Sequence, residues 1–168
     1  MLFRSGTPER ILGNPATKHG EIAEKIEVSI RNARAYVEGH PPQATFEGVG
    51  RTAPVDYLID GVAVQSKFIN GLSNNLDHVL EHMGKYLQFG RDGSFYHIPQ
   101  DHHEAIQRIA NGESVAGLSE RTIRKIQSKI SQIQETSNRE FSDVVRPSLS
   151  KYGEVQQGVV HHTIDGHE

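Results

Sequence analysis

Asp56, Gln65 and Lys67 place a carboxylate, a carboxamide and an ammonium group in one short stretch of chain. Hydrolysis of a phosphodiester needs an oxygen ligand for a hard divalent cation, a polarised water, and positive charge beside the phosphate. Asp56 can supply the first and Lys67 the last, with Gln65 adding a neutral carbonyl oxygen between them. The three can act together only if the chain brings them to one face.

The run from Pro54 to Phe68 predicts that it does. Two β-rich segments, Val55 to Ile59 and Val62 to Phe68, flank Asp60-Gly61, a pair suited to a type I′ turn because both central residues need positive φ. With that two-residue loop, the opposed pairs are Ile59 with Val62, Leu58 with Ala63, Tyr57 with Val64, and Asp56 with Gln65. Alternation carries Lys67 to the side of Asp56 and Gln65, and Tyr57, Ile59, Val62, Val64, Ser66 and Phe68 to the other. A solvated sheet face is the ordinary fate of such polar residues; the combination of donor types is what points to chemistry.

An Asp on one strand of a hairpin, followed on the next by an acid or amide, any residue and Lys, resembles the signature of the PD-(D/E)xK nuclease superfamily. Here it reads Asp56 and then Gln65-Ser66-Lys67, with Pro54-Val55-Asp56 standing where that family often has its proline and aspartate. The resemblance spans residues 17 to about 90. It implies a restriction-endonuclease-like core, a small mixed sheet flanked by helices and entered by a helix whose glutamate points at the metal. It also implies Mg²⁺ (or Mn²⁺) as cofactor and nucleic acid, DNA in the first place, as substrate.

In this chain Glu21 is the expected helical carboxylate, because it flanks the apolar stripe, whereas Glu24 lies further round and His19 projects over that stripe. Gln65 in place of an acid removes one negative charge from the cation site, and Glu21 would restore it. Without that restoration the domain would be an inactive module that kept the fold and binds nucleic acid or protein. Nuclease modules of this kind recur in phage defence, an association that rests on fold analogy.

The elements that must hold these residues follow from periodicity. Residues 1 to 16, with Gly6, Pro8, Gly13 and Pro15, are expected to form an irregular arm, and residues 17 to 168 a single α/β domain. Thr17 is the expected N-cap of a helix to about Glu38, with Ile22, Ile26, Ile30, Ala33 and Val37 on its buried face. Thr45 to Arg51 reads as a short irregular strand. Leu72, Leu76, Val79, Leu80, Met83 and Leu87 predict an amphipathic helix ending near Gly90. A short strand over Phe95 to Ile98 stops at Pro99, and a helix covers Gln100 to Ala110. Ser119 caps a long helix with Ile123, Ile126, Ile130 and Ile133 inside. Arg121, Arg124, Lys125 and Lys129 lie around the rest of that helix as the local candidate for contact with a phosphate backbone. The tail from Glu154 to Ile164 is expected to add a strand.

A competing motif, His78-Val79-Leu80-Glu81-His82, matches the H-x-x-E-H pattern of inverted zincin peptidases, with His78 and His82 as alternative zinc ligands and Glu154 as a distant third. The bland reading is two histidines on a helix flank beside the hairpin. His102-His103 and His161-His162 are adjacent pairs whose side chains diverge, and are expected at the surface. His97 is a core or surface residue on this reading.

Composition narrows the classes. The 168 residues include ten histidines and no cysteine, which removes thiol nucleophiles and cysteine-ligated metals. A net charge of −3 gives no global attraction to nucleic acid. No apolar run is long enough to span a membrane, and Met1 to Arg4 is followed by Ser, Gly, Thr and Pro instead of an apolar stretch. The expected location is the cytoplasm, with further domains of a longer chain and homo-oligomer formation both compatible with the sequence.

Overall fold

The computed structural model describes residues 15–49 and 54–157, with side chains described from 20 to 155. The elements follow in the order α1 (Pro15–Val37), β1 (Ala44–Thr45), β2 (Tyr57–Ile59), β3 (Val62–Ser66), α2 (Leu72–Lys85), β4 (Phe95–Ile98), α3 (Gln100–Ala110), α4 (Glu120–Ser137), α5 (Phe141–Val144), β5 (Val145–Pro147) and α6 (Tyr152–Gln157). The strands form one mixed sheet in sequence order, antiparallel from β1 to β3 and parallel from β3 to β5. The parallel joins follow from the helices between those strands, since a chain that crosses over re-enters the sheet in its original direction. The class is α/β, as the order of elements predicts.

Asp60 and Gly61 both have positive φ, 50° and 81°, and the register is Tyr57 with Val64, Leu58 with Ala63, and Ile59 with Val62, as read from the sequence. One sheet face carries Tyr57, Ile59, Val64 and Phe95 into an apolar cluster with Val28 of α1. The opposite face sends Tyr96, Ile98 and Val145 into the main core with Leu76, Val79 and Met83 of α2 and Ile126, Ile130 and Ile133 of α4. A third cluster joins Ala23, Ile26 and Ile30 of α1 to Phe68 and Val155.

Several expectations are corrected. Helix α1 begins at Pro15, inside the expected arm; proline suits a first helical turn because its missing N–H is not needed there. Residues 1–14 lie outside the described residues, and so does the side chain of His19. The buried face of α1 keeps Ile26 and Ile30 of the expected stripe but not its C-terminal part: Ala33 is exposed and Val37 is 83% exposed, while Glu27, Val28 and Ala35 are buried. The helix ends in a Schellman closure, with Gly39 at φ 81° and N–H bonds from His40 to Ala35 and from Gly39 to Tyr36.

Strand β1 starts at Ala44 and is two residues long. Helix α2 stops at Lys85 because Tyr86 is extended, leaving Leu87 68% exposed. The Arg91 guanidinium takes the carbonyls of Met83 (3.2 Å) and Leu87 (2.7 Å), satisfying groups that a longer helix would have paired. Strand β5 and the one-turn α5 were not foreseen. From Tyr152 to Gln157 the expected tail strand is a helix, with Val155 packed against α1; the remainder of that strand, and His161-His162, lie outside the described residues.

Candidate active site

The antiparallel ladder ends at the Tyr57–Val64 pair, so Asp56 is not paired across from Gln65 as alternation alone would have it. Its N–H still donates to the Val64 carbonyl (2.8 Å), and its carboxylate accepts the Ser66 N–H (2.8 Å). A side chain thus replaces the strand partner that Ser66 lacks. The departure leaves the grouping intact: Asp56, Gln65 and Lys67 line one cleft of about 260 Å³, with Pro54 beside them. The far wall is α2 and its C-cap, through His78, Glu81, His82, Lys85 and Tyr86.

Of Glu21 and Glu24 on α1 it is Glu24, not the expected Glu21, that meets Asp56, and neither lines the cleft, where the helical carboxylate is Glu81 of α2. Glu24 is half-buried and hydrogen-bonds Asp56, whereas Glu21 is exposed and acts on Glu24 only through its charge. The cause is the rotation of α1: Glu24, Glu27, Val28, Arg31 and Ala35 recur at helical spacing, and that face, not the Ile22 stripe, meets the sheet. Burial, with the Asp56 and Glu21 charges adding to it, pushes the Glu24 carboxyl up to about 8. Burial also raises Asp56, opposed by the Ser66 N–H and by Lys67. Two desolvated carboxyls in contact cannot both ionise without a compensating charge, so here they share a proton. Lys67 is lowered by burial, against the pull of Asp56, Glu81 and Glu24.

This donor set fits a hard divalent cation. Two carboxylates and a carboxamide oxygen are the ligand types such ions take, and the shared proton marks where positive charge is wanted. Among the described residues no group of three or more His, Asp or Glu side chains is placed to hold a metal ion, so Gln65 and water would have to complete the shell. A larger groove of about 450 Å³ beside α1 mixes Arg31 and Arg34 with Glu38 and Asp60 and has no such paired acids.

In the zinc pattern at 78–82 both histidines line the cleft, and packing ties His82 to the core. His82 is 7% exposed, its Nδ1 lies 2.7 Å from the Tyr96 hydroxyl, and the Tyr86, Phe89 and Tyr96 rings surround it. Burial lowers it to about 4, with Lys67 adding to the shift, so the ring is neutral. Its Nε2 has no hydrogen bond of standard geometry, although the Pro54 carbonyl is near enough to favour a protonated ring. His78 stands at the cleft wall, and the Glu154 carboxylate is occupied in accepting the Lys151 N–H (2.9 Å).

The remaining histidines are built into the fold. His102 meets Asn75 at 2.8 Å and stacks on Tyr152; His103 bonds the Val145 carbonyl (3.0 Å); His97 is buried. The first two are therefore not the surface residues expected.

Of the basic residues on α4, Lys129 is ion-paired with Asp77 of α2, and Arg124 lies 3.6 Å from Glu120. None of Arg121, Arg124, Lys125 and Lys129 lines the cleft; Lys85 does, and spacing did not single it out. Glu24 was legible as part of a polar i, i+3, i+7 row, but that row reads as solvent-facing until the buried partners of Glu27 are known. Set against models of protein families, the curated proteins and the solved structures, the chain matches none of them.

Proposed function

We propose that the chain is a divalent-metal-dependent nuclease with a restriction-endonuclease-like core, cleaving phosphodiester bonds of nucleic acid, DNA in the first place, in the cytoplasm. The observation that carries this reading is the convergence of Asp56, Gln65 and Lys67 at one cleft, with Glu24 of α1 in contact with Asp56 behind it.

Bound there, Mg²⁺ or Mn²⁺ would polarise a water and a phosphate oxygen. Asp56 and Glu24 would hold the ion in their ionised forms, giving up the proton they share. Gln65 contributes a neutral oxygen, which lowers the charge of the site relative to an all-acid set. Lys67 places its ammonium beside the two acids, where it can neutralise charge that develops on a phosphate. Lys85 adds a second cation at the rim of the cleft.

The test is nicking of supercoiled plasmid with Mg²⁺ or Mn²⁺. Wild-type protein nicks it, and Glu24→Gln, Asp56→Asn and Lys67→Ala abolish nicking while their circular dichroism spectra match the wild type. Equal cutting by all four proteins would refute the site. Gln65 gives the inactive-module reading its one support: nucleic acid bound without cutting, and without any response to Mn²⁺, would decide for that module. The zinc peptidase reading requires stoichiometric zinc lost on His78→Ala with His82→Ala, and the Tyr96 bond to His82 speaks against it.

A further inference from the structure

A polar network buried behind the cleft takes no part in the chemistry above. Glu27 is 1% exposed. One carboxylate oxygen, Oε1, accepts the Leu149 N–H (2.8 Å); the other, Oε2, accepts the Arg31 Nε–H (2.5 Å) and stands 3.8 Å from His97 Nδ1. That same ring nitrogen lies 2.6 Å from the Tyr57 hydroxyl, and His97 Nε2 lies 3.5 Å from the Arg31 guanidinium. Arginine only donates, so Nε2 is the acceptor and the ring proton sits on Nδ1.

Burying a carboxylate so completely is weak as a source of stability, because desolvation offsets most of the attraction to its partners. What the network does specify is position. Glu27 is three residues beyond Glu24 on the same face of α1, and Tyr57 is the residue after Asp56. Glu24 and Asp56 are therefore each a short covalent step from one end of the network. Other contacts share in holding α1, through Val28 on this face, through Ala23, Ile26 and Ile30 against Phe68 and Val155, and through Asn32 bonded to Gln43 and Ala44. Directional bonds add to these contacts: Glu27 accepts the Leu149 N–H, and Arg31, which Glu27 holds, reaches His97 Nε2 on β4.

We propose that Glu27 is the positioning residue of the site, holding α1 at the rotation where Glu24 meets Asp56, with Tyr57, through His97, as its counterpart on the sheet. The proposal rests on the reading of Glu24 and Asp56 as a cation site, and its consequence is that Glu27 and Tyr57 govern cation binding without touching the cation. Metal-site residues beyond the direct ligands typically change affinity by about 10- to 100-fold.

The test uses the full chain with Glu27→Gln and Tyr57→Phe, the second removing one hydroxyl only. Mn²⁺ titration followed by electron paramagnetic resonance is expected to show a dissociation constant raised about tenfold or more in both variants, with cooperative unfolding retained. Carboxyl-carbon NMR reads the same geometry without metal. In the wild-type background Asp56→Asn shifts the Glu24 signal; in the Glu27→Gln or Tyr57→Phe background that response disappears. Folded variants that bind Mn²⁺ as tightly as the wild type, or in which the Glu24 signal still responds to Asp56→Asn, overturn the proposal. A wild type that binds no Mn²⁺, while Glu24 and Asp56 lose their mutual response in the variants, overturns the metal reading and leaves the positioning role standing.

Discussion

Glu24 on α1 hydrogen-bonds Asp56 at the entry to β2, although the two lie on elements that nothing local in the sequence ties together. The contact has a consequence for stability. Glu24 is raised from 4.5 to about 8 in the folded chain, so the folded state holds a proton that the unfolded state releases. Without metal, its contribution is fully present below about pH 4.5 and is lost as pH rises through about 8. Each unit corresponds to about 1.4 kcal/mol, and solvent reaching the half-buried pair reduces the total. Chemical denaturation in chelator is expected to show a fall of about 2 kcal/mol between pH 5 and pH 8, absent in Glu24→Gln and diminished when Mn²⁺ is added. A flat profile for the wild type would refute the shared proton.

Lys67 is lowered by burial, and a lysine with a depressed pKa loses its charge at a lower pH than usual. Cleavage that depends on its ammonium therefore declines on the alkaline side before the ordinary lysine range. Lys67→Arg removes that decline, because guanidinium stays charged, and Lys67→Ala lowers turnover by about 10²- to 10³-fold. The pH–rate profiles of the three proteins check this, and an unchanged alkaline limb in Lys67→Arg assigns the limb to another group.

The hairpin was legible because everything that specifies it is local. Asp60-Gly61 sets the turn, and alternation sets which residues share a face. What alternation could not show is the end of the ladder at Tyr57, where the Asp56 carboxylate takes over from a main-chain carbonyl. The rotation of α1 was not legible for a different reason. Its sheet-facing row contains Glu24, Glu27 and Arg31, which read as solvent-facing until Leu149 and His97, far along the chain, supply their partners. Strand β5 escaped because Val145–Pro147 is too short for periodicity, and its pairing depends on β4. The Ile126, Ile130 and Ile133 row of α4 succeeded because it is purely apolar.

Burial keeps His82 neutral, and the Tyr96 hydroxyl meets its Nδ1 at 2.7 Å. Tyr96→Phe leaves Nδ1 without its bond and is expected to destabilise the fold by about 1–3 kcal/mol, read from denaturant midpoints. On the nuclease reading the ring serves packing, and the same variant is expected to leave metal content by elemental analysis unchanged. Zinc bound by the wild type and released on Tyr96→Phe would revive the peptidase reading.

The cations of α4 differ in how they are engaged, and that decides what their removal does. Lys129 is mostly buried against Asp77 of α2, so Lys129→Ala is expected to lower stability by about 1 kcal/mol and to leave the salt dependence of DNA binding unaltered. Arg121 and Lys125 form no ion pair among the described residues, yet they lie outside the cleft; Lys85 lines it. Removing one cation that pairs with a phosphate reduces the slope of log affinity against log salt by about 1. Lys85→Ala should therefore reduce the slope by about 1, and the double change of Arg121 and Lys125 to alanine by much less than 2. A full reduction of about 2 for the double variant, with Lys85→Ala silent, would move the nucleic-acid path from the cleft to the outer face of α4.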